Sequence, residues 1–544
     1  MPFPDYEPTV PVFVRRLAER HGERELIVQD GRRLTFAQAE ARSARLAREL
    51  LARGVTKGAH VALLFPNGPE WVVAWLAITR IGAVAVPINT FYKARELGWT
   101  LRHADADTLL TTARFLGHDY LARLEEVAPG LGAARGSALF LSELPFLRRV
   151  AVWGGGERSW ALGGEALEAA AGEAAGVDEA CLRAVEAQVR PADEMILLYS
   201  SGSTAEPKGA LHTHASVLQH SYNLSAHRDL KESDRVWSPM PFFWVGGFVF
   251  AFVGNLQAGA TTLCEEVFEP GRTLAFLERE RATVALGWPH FGKALAEHPD
   301  AKTRDLSALR AGNVPDILPP EVVPPDPRRR GNALGMTETC GPHTWSEGVL
   351  SERLAGSFGR PVPGVEHKVV DPETGETLPP GQLGELCVRG YSLMQRLYKI
   401  PRHETFDADG FYHTGDAGYF SGDGVLWFKG RLGEMIKSGG ANVTPSEVEA
   451  VLVACPGVKA AFVVGLPDPE RGQSVAAAVV LEPGRSVEPD ELVRRVKAEL
   501  AAYKAPRHLW IFADGTLPFT DSGKIDKRRL TALLGERLAS GDPG

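Results

Sequence analysis

Cysteine is scarce in this chain: five in 544 residues (Cys181, Cys264, Cys340, Cys387 and Cys455), all far apart. No disulfide framework or zinc site is suggested by that spacing, and a reducing cytoplasm fits. Basic residues are not in excess either. With 60 Lys and Arg against 68 Asp and Glu, the net charge is -8, so neither a basic face for nucleic acid nor a polybasic membrane anchor is expected. The start, Met-Pro-Phe-Pro-Asp-Tyr-Glu, lacks a basic segment followed by an apolar core, and no signal peptide is expected there. Long apolar runs are nearly missing. The uncharged stretch 242–264 is long enough to raise the question of a membrane span, but Asn255, Gln257 and several glycines interrupt it. A buried helix followed by a buried strand, the latter at Ala260-Thr261-Thr262-Leu263-Cys264, is expected instead.

What is present describes an ordinary globular protein, 44% apolar and 24% charged, and too long for one hydrophobic core. Between Val10 and Leu110, helical periods alternate with short apolar runs: helix at 37–52, strand at 60–65, helix at 71–81, strand at 83–88. That βαβ rhythm predicts a largely parallel, covered sheet. The Gly-, Ala- and Glu-rich stretch 154–176 reads as a loose surface connection, and the proline-rich 315–330 as another. From 356 to 428 short strands with Gly and Pro turns predict a β-rich subdomain, and beyond Gly430 small α+β units return. The expected class is α/β: a large N-terminal domain, 1–430, with several subdomains, and a small α+β lid domain, 431–544, with the boundary at Gly430–Gly433.

The chain is organised around Leu-Tyr-Ser-Ser-Gly-Ser-Thr-Ala-Glu-Pro-Lys-Gly at 198–209. Apolar 195–199 predicts a strand that ends in a loop, with a helix at 215–224 as the next regular pattern. Ser200, Ser201, Ser203 and Thr204 offer hydroxyls, Gly202 lets backbone approach closely, and Lys208 adds a point charge, so the loop suits a polyphosphate. It is not a Walker loop. A polar surface turn that binds nothing is the alternative for this stretch taken alone.

Five further stretches follow: Gly335-Met336-Thr337-Glu338-Thr339; Tyr412-His413-Thr414-Gly415-Asp416; Gly430-Arg431 running into Ile436-Lys437-Ser438-Gly439-Gly440; Pro445-Ser446-Glu447-Val448-Glu449; and Leu517-Pro518-Phe519-Thr520-Asp521-Ser522-Gly523-Lys524. In this order, with the phosphate loop, they resemble the motifs of the adenylate-forming superfamily, which contains acyl-CoA synthetases, luciferases and peptide-synthetase adenylation domains. The resemblance implies that Ser200, Ser201, Gly202, Ser203, Thr204 and Lys208 hold the β- and γ-phosphates of ATP, that Glu338 holds Mg2+, and that Thr337 donates to the α-phosphate. Asp416 would accept the ribose hydroxyls, with Arg431 as a second contact, and Lys524 would lie between the acid's carboxylate and the α-phosphate. These residue types suit the task, because joining two anions needs positive charge and rigid donors. By family position, Gly312, Asn313, Asn332, Ala333, Leu334 and Gly335 border the nucleotide, and Trp244, Val245, Gly246 and Cys340 the acyl pocket. Gly439 and Gly440 would reach the pantetheine tunnel, and Gly433 would be the hinge.

Four positions depart from the family pattern. Ala205 stands for a usual glycine, Leu334 for a tyrosine that stacks on adenine, Trp244 for a histidine near the acyl pocket, and Gly433 for the usual Asp or Lys of the hinge. The Ala205 methyl narrows the loop's conformational freedom, looser nucleotide binding is expected from Leu334, and Trp244 reads equally as pocket wall or core aromatic. The expected activity is an ATP-dependent ligase that activates a fatty or aryl acid as acyl-AMP and passes it to coenzyme A. A stand-alone adenylation enzyme loading a carrier protein, and a non-catalytic nucleotide- or acyl-binding protein, stay open. The implied partners are the acid, ATP, CoA and Mg2+, with homodimerisation open, and no nucleic acid or membrane span.

Overall fold

The computed structural model describes residues 3–134, 138–200, 207–323, 332–438, 441–469, 472–500, 502–520 and 523–541. The chain divides into two compact units, 1–366 with 389–410, and 367–388 with 411–544.

The first unit holds two large mixed sheets. In the eight-stranded sheet the strands His60–Leu64, Val84–Pro87, Thr108–Thr112 and Arg149–Trp153 run parallel, as the βαβ rhythm predicts. Glu194–Ser200 joins them in parallel beside Val84–Pro87, then turns antiparallel into Lys208–Thr213, which in turn pairs Arg396–Leu397. The six-stranded sheet is parallel from Glu25–Gln29 through Thr261–Cys264, Arg235–Trp237, Val284–Ala285 and Ala311–Gly312, with Arg32–Thr35 antiparallel at its edge. The helix Pro69–Arg80 belongs to this core, and 11 of its 12 residues are buried. A helix apolar all round demands cover on every side. Trp71 and Trp75 pack there against Phe242, Phe248 and Phe252.

Residues 242–264 form a buried π-helix, Gly246–Val253, continued by the α-helix Gly254–Ala258 and then the strand Thr261–Cys264. Among the described residues no helix is long and apolar enough to cross a membrane.

Two expectations need correction. After the phosphate loop the next element is not the helix but the strand Lys208–Thr213; His212 is fully buried in it, and a buried polar residue breaks the apolar signal on which the reading relied. The stretch 154–176 is not loose throughout. It contains the helix Gly164–Ala170, because Trp160 and Leu167 bury there.

The second unit carries a four-stranded sheet in the order Val365–Val370, Gly384–Gly390, Tyr412–Phe420, Leu426–Arg431, the last three antiparallel, so the β-rich stretch is present. Residues 389–410 leave it for the first unit. A second sheet is built on the long hairpin Val458–Asp468 and Gly472–Leu481, covered by Pro445–Val453, Pro489–Glu499 and Lys527–Ala539.

Candidate active site

In the first unit the stretch 198–209 begins and ends in two neighbouring strands, Glu194–Ser200 and Lys208–Thr213. Ser200 ends one and stands directly across the ladder from Lys208, which begins the other. Such a hairpin mouth brings a hydroxyl and an ammonium group to one edge. Gly209, next to Lys208, has no room for a side chain: a Cβ there would lie 2.8 Å from Leu197 Cδ1. Ser201, Gly202, Ser203, Thr204 and the departure Ala205 lie outside the described residues.

Thr337 and Glu338 sit in the 3-10 turn Thr337–Thr339, which links the antiparallel strands Ala333–Met336 and Gly341–Trp345. The turn is pinned from three sides. His212 Nε2 lies 2.8 Å from the Thr337 carbonyl, the Met394 amide donates to the Glu338 carbonyl at 2.8 Å, and the Thr339 hydroxyl donates to the Gly341 carbonyl at 2.7 Å. Burial pushes the His212 imidazole down to about 4. At neutral pH it is therefore uncharged, and its Nε2–H donates to Thr337. Glu338 is itself buried, with 7% of its surface exposed. Leu334 is half-buried on the strand before the turn, whereas Ala333 and Gly335 are exposed. Asn332 precedes them and donates its side-chain amide to the Ser357 carbonyl at 3.2 Å. Cys340 follows the turn with φ +62°. It is fully buried, and burial pushes its thiol up.

Gly312 ends a strand of the six-stranded sheet with φ +147°, and a Cβ would clash with the Ala285 carbonyl at 2.0 Å. Only glycine fits there. Its neighbour Asn313 accepts from the Gly287 amide at 2.8 Å. Trp244 is half-buried just before the π-helix, its ring edge-to-face with Trp288 at 5.6 Å and with Phe243 at 4.9 Å. Val245 and Gly246 follow, also half-buried. π-helical turns concentrate at functional sites.

In the second unit Asp416 and Arg431 are cross-strand partners. Asp416 is buried, at 5% exposure, and the Arg431 guanidinium meets its carboxylate at 3.0 Å while also donating to the Thr414 carbonyl at 2.7 Å. The Thr414 hydroxyl donates to the Leu386 carbonyl and accepts from the Asp416 amide. The carboxylate is thus held in a rigid frame. Gly433 lies in the short turn Leu432–Glu434, where a Cβ would meet nothing within 4 Å. Gly439 and Gly440 lie outside the described residues. Lys524 is exposed, on a turn closed by Thr520, whose amide donates to the Lys524 carbonyl at 2.7 Å.

Sequence reasoning missed the supports. His212 lies 125 residues from Thr337, and no local pattern announces the pair. The two acids of the fourth stretch take ion pairs: Glu447 with Lys429 and Lys504, Glu449 with Lys527. Their spacing of two was the only available signal.

The AMP-binding enzyme family model matches residues 14–398, and that of the AMP-binding enzyme C-terminal domain matches residues 447–524. The chain belongs to the AMP-binding enzyme family. It is 32% identical over 533 residues to a putative acyl-CoA synthetase, YngI, of Bacillus subtilis (strain 168), covering 96% of each chain. To a feruloyl-CoA synthase of an Amycolatopsis species it is 33% identical over 536 residues, covering 95% of this chain and 96% of that one. Among solved structures, the anthranilate CoA ligase AuaEII in complex with anthranoyl-AMP aligns over 99% of both chains with TM-score 0.80 and 26% identity. This AMP-binding enzyme is accordingly an acid–thiol ligase of the acyl-CoA synthetase type, with the α/β fold and small C-terminal domain expected.

Proposed function

We propose that the enzyme joins a hydrophobic acyl or aryl acid to coenzyme A by two displacements at named groups. In the first, a carboxylate oxygen of the acid attacks the α-phosphorus of ATP, and pyrophosphate leaves with the bond's electron pair. In the second, the sulfur of CoA attacks the acyl carbonyl, AMP leaves, and the thiol proton passes to solvent. The observation that carries this reading is the buried Asp416 carboxylate, met by Arg431, with the Asp416 backbone amide held by the Thr414 hydroxyl. Two carboxylate oxygens suit a vicinal diol, and a desolvated, preorganised acceptor loses little entropy on binding it.

In this reading Ser200 and Lys208, with Ser201, Gly202, Ser203 and Thr204, take the terminal phosphates, and Thr337 donates to the α-phosphate. Glu338 and the Thr337 hydroxyl beside it are hard oxygen donors on a pinned turn, a donor set that fits Mg2+. When bound, that ion offsets phosphate charge. Lys524 stabilises charge that develops between carboxylate and phosphorus. Gly433, in the stretch 430–433, is the hinge about which the C-terminal part turns between steps, bringing Gly439 and Gly440 to the CoA thiol. The acid's class rests on the aromatic pair Trp244 and Trp288 with Val245 and Gly246 next in the chain, and on Cys340 by family position; relatives named for feruloyl and anthranilate substrates agree with it. Five free cysteines suit a reducing cytoplasm.

The test is pyrophosphate release across a panel of aryl and fatty acids, with and without CoA. Acid-dependent release, with thioester formed only when CoA is present, is expected. Release with adenylate accumulating and no thioester would favour another acceptor, and no release with any acid would overturn the reading.

A further inference from the structure

Glu385, Cys387 and His413 bring a carboxylate oxygen, a sulfur and an imidazole nitrogen within 4.8 Å of one another. The strands Gly384–Gly390 and Tyr412–Phe420 bring them together. Cys387 and His413 are direct cross-strand partners, and the register shifts between Glu385 and Cys387, so that Glu385 pairs with Ala417 while its carboxylate reaches back to His413. His413 Nδ1 is 2.8 Å from Glu385 Oε2 and 3.5 Å from Cys387 Sγ.

That one nitrogen serves both neighbours decides what the trio can do. A Cys–His–carboxylate relay needs thiol and carboxylate on opposite ring nitrogens, so that one proton enters as another is held. Here both converge on Nδ1, and a relay is excluded. Convergence of an imidazole lone pair, a thiolate and a carboxylate on one point is instead the donor set of a borderline-soft divalent cation. In a tetrahedral zinc site with Zn–S of about 2.3 Å and Zn–N of about 2.0–2.1 Å, sulfur and nitrogen ligands lie roughly 3.5 Å apart. The Cys387–His413 spacing is already that, and the hydrogen-bonded Glu385 oxygen has to draw back from His413 by about 0.5 Å on the same geometry. The other Glu385 oxygen accepts from the Gly415 amide at 2.9 Å, which orients the carboxylate as outer-shell partners orient metal ligands. Cys387 is fully buried while the His413 side chain is 40% exposed, so the trio has a closed floor and a mouth to water for a fourth ligand.

We propose that Glu385, Cys387 and His413 form a binding site for Zn2+ or a cation like it, distinct from the Mg2+ assigned to Glu338. On binding, the Cys387 thiol gives its proton to solvent and His413 carries its remaining proton on Nε2, with no change of oxidation state. The site shares its strand with Asp416, three residues from His413, and its Glu385 is tied to Gly415. An ion there therefore stiffens the strand that presents Asp416.

The experiment is titration of the full-length protein, freed of metal by chelator and dialysis, with Co2+ as a spectroscopic probe, followed by competition with Zn2+. One equivalent of Co2+ with a thiolate-to-cobalt absorption band, displaced by Zn2+, is expected. Cys387→Ser should remove the band, and Cys181→Ser, which changes the exposed cysteine, should keep it. His413→Gln alters a partly exposed side chain and tests the site without disturbing the core; it should weaken Co2+ binding by more than the ~10–100-fold that loss of an outer-shell partner costs. No band in the unaltered protein, a band that survives Cys387→Ser, or unchanged affinity in His413→Gln would each overturn the proposal.

Discussion

The turn that carries Thr337 and Glu338 and the turn that carries Lys524 are built in opposite ways. The first is buried and anchored by groups distant in the chain, His212 and Met394. The second is exposed, and the contacts that close it come from Thr520, four residues away. Asp416 follows the first pattern through Thr414, which holds its amide and donates to the Leu386 carbonyl 28 residues away, with Arg431 opposite on the next strand. The lesson is that groups assigned to hold the nucleotide are preorganised by long-range packing, whereas the group assigned to a single chemical step rides on a local turn. Rigidity suits a donor that serves throughout, and a self-contained turn suits one that serves once and withdraws.

Replacing Lys524 should break the comparison most sharply. Lys524→Ala is expected to slow acyl-AMP formation by at least ~10²-fold, the loss that follows removal of one charge-stabilising donor. Melting temperature should not move, because the side chain is exposed, and thioester formation from supplied acyl-AMP should persist. Stopped-time assays of each half-reaction check this. Asp416→Ala is the converse case. It leaves Arg431 without its carboxylate and removes a buried acceptor, so weaker nucleotide binding and a stability loss of about 1–3 kcal/mol should appear together in calorimetry and thermal melts.

Much of this arrangement was legible in the chain itself. The six motif stretches in order sufficed for the family, and the βαβ rhythm of 60–88 for the parallel sheet, because apolar periodicity and glycine punctuation are local signals. What was hidden is long-range. His212 reads as a polar interruption, yet its burial is what holds Thr337. Asp416 and Arg431 were each assigned to the ribose, but their direct pairing depends on the register of a hairpin. Trp244 could be placed as pocket or core, and only the structure shows a half-buried ring against Trp288.

Trp244→Ala sharpens the comparison on the acyl side. Removing the indole should shift kcat/KM toward bulkier acids by about 1–3 kcal/mol per added methylene accommodated, with nucleotide affinity near normal. A large drop in melting temperature with an unchanged acid profile would instead make it a core residue. Smaller still is the effect expected at Glu265. Burial pushes its carboxyl up to about 7, opposed by hydrogen bonds from Thr273 and Trp237. The folded protein keeps this proton to about pH 7, while the unfolded chain loses it near the ordinary 4.5. The stability contribution is therefore full below pH 4.5 and falls as pH rises toward 7. Glu265→Gln should remove that slope and raise stability at pH 8 in denaturant titrations, leaving both half-reactions unchanged.

The alternation between a fixed nucleotide frame and a turn that comes and goes is tested most directly at Gly433. Proline there fixes φ in the turn between Arg431 and the strand Ile436–Ser438. The measurement is the rate of each half-reaction in Gly433→Pro, from pyrophosphate release for the adenylate and from acyl-CoA for the thioester. The account predicts adenylate formed at near the normal rate and thioester formation lost. Thioester made at the normal rate would contradict it.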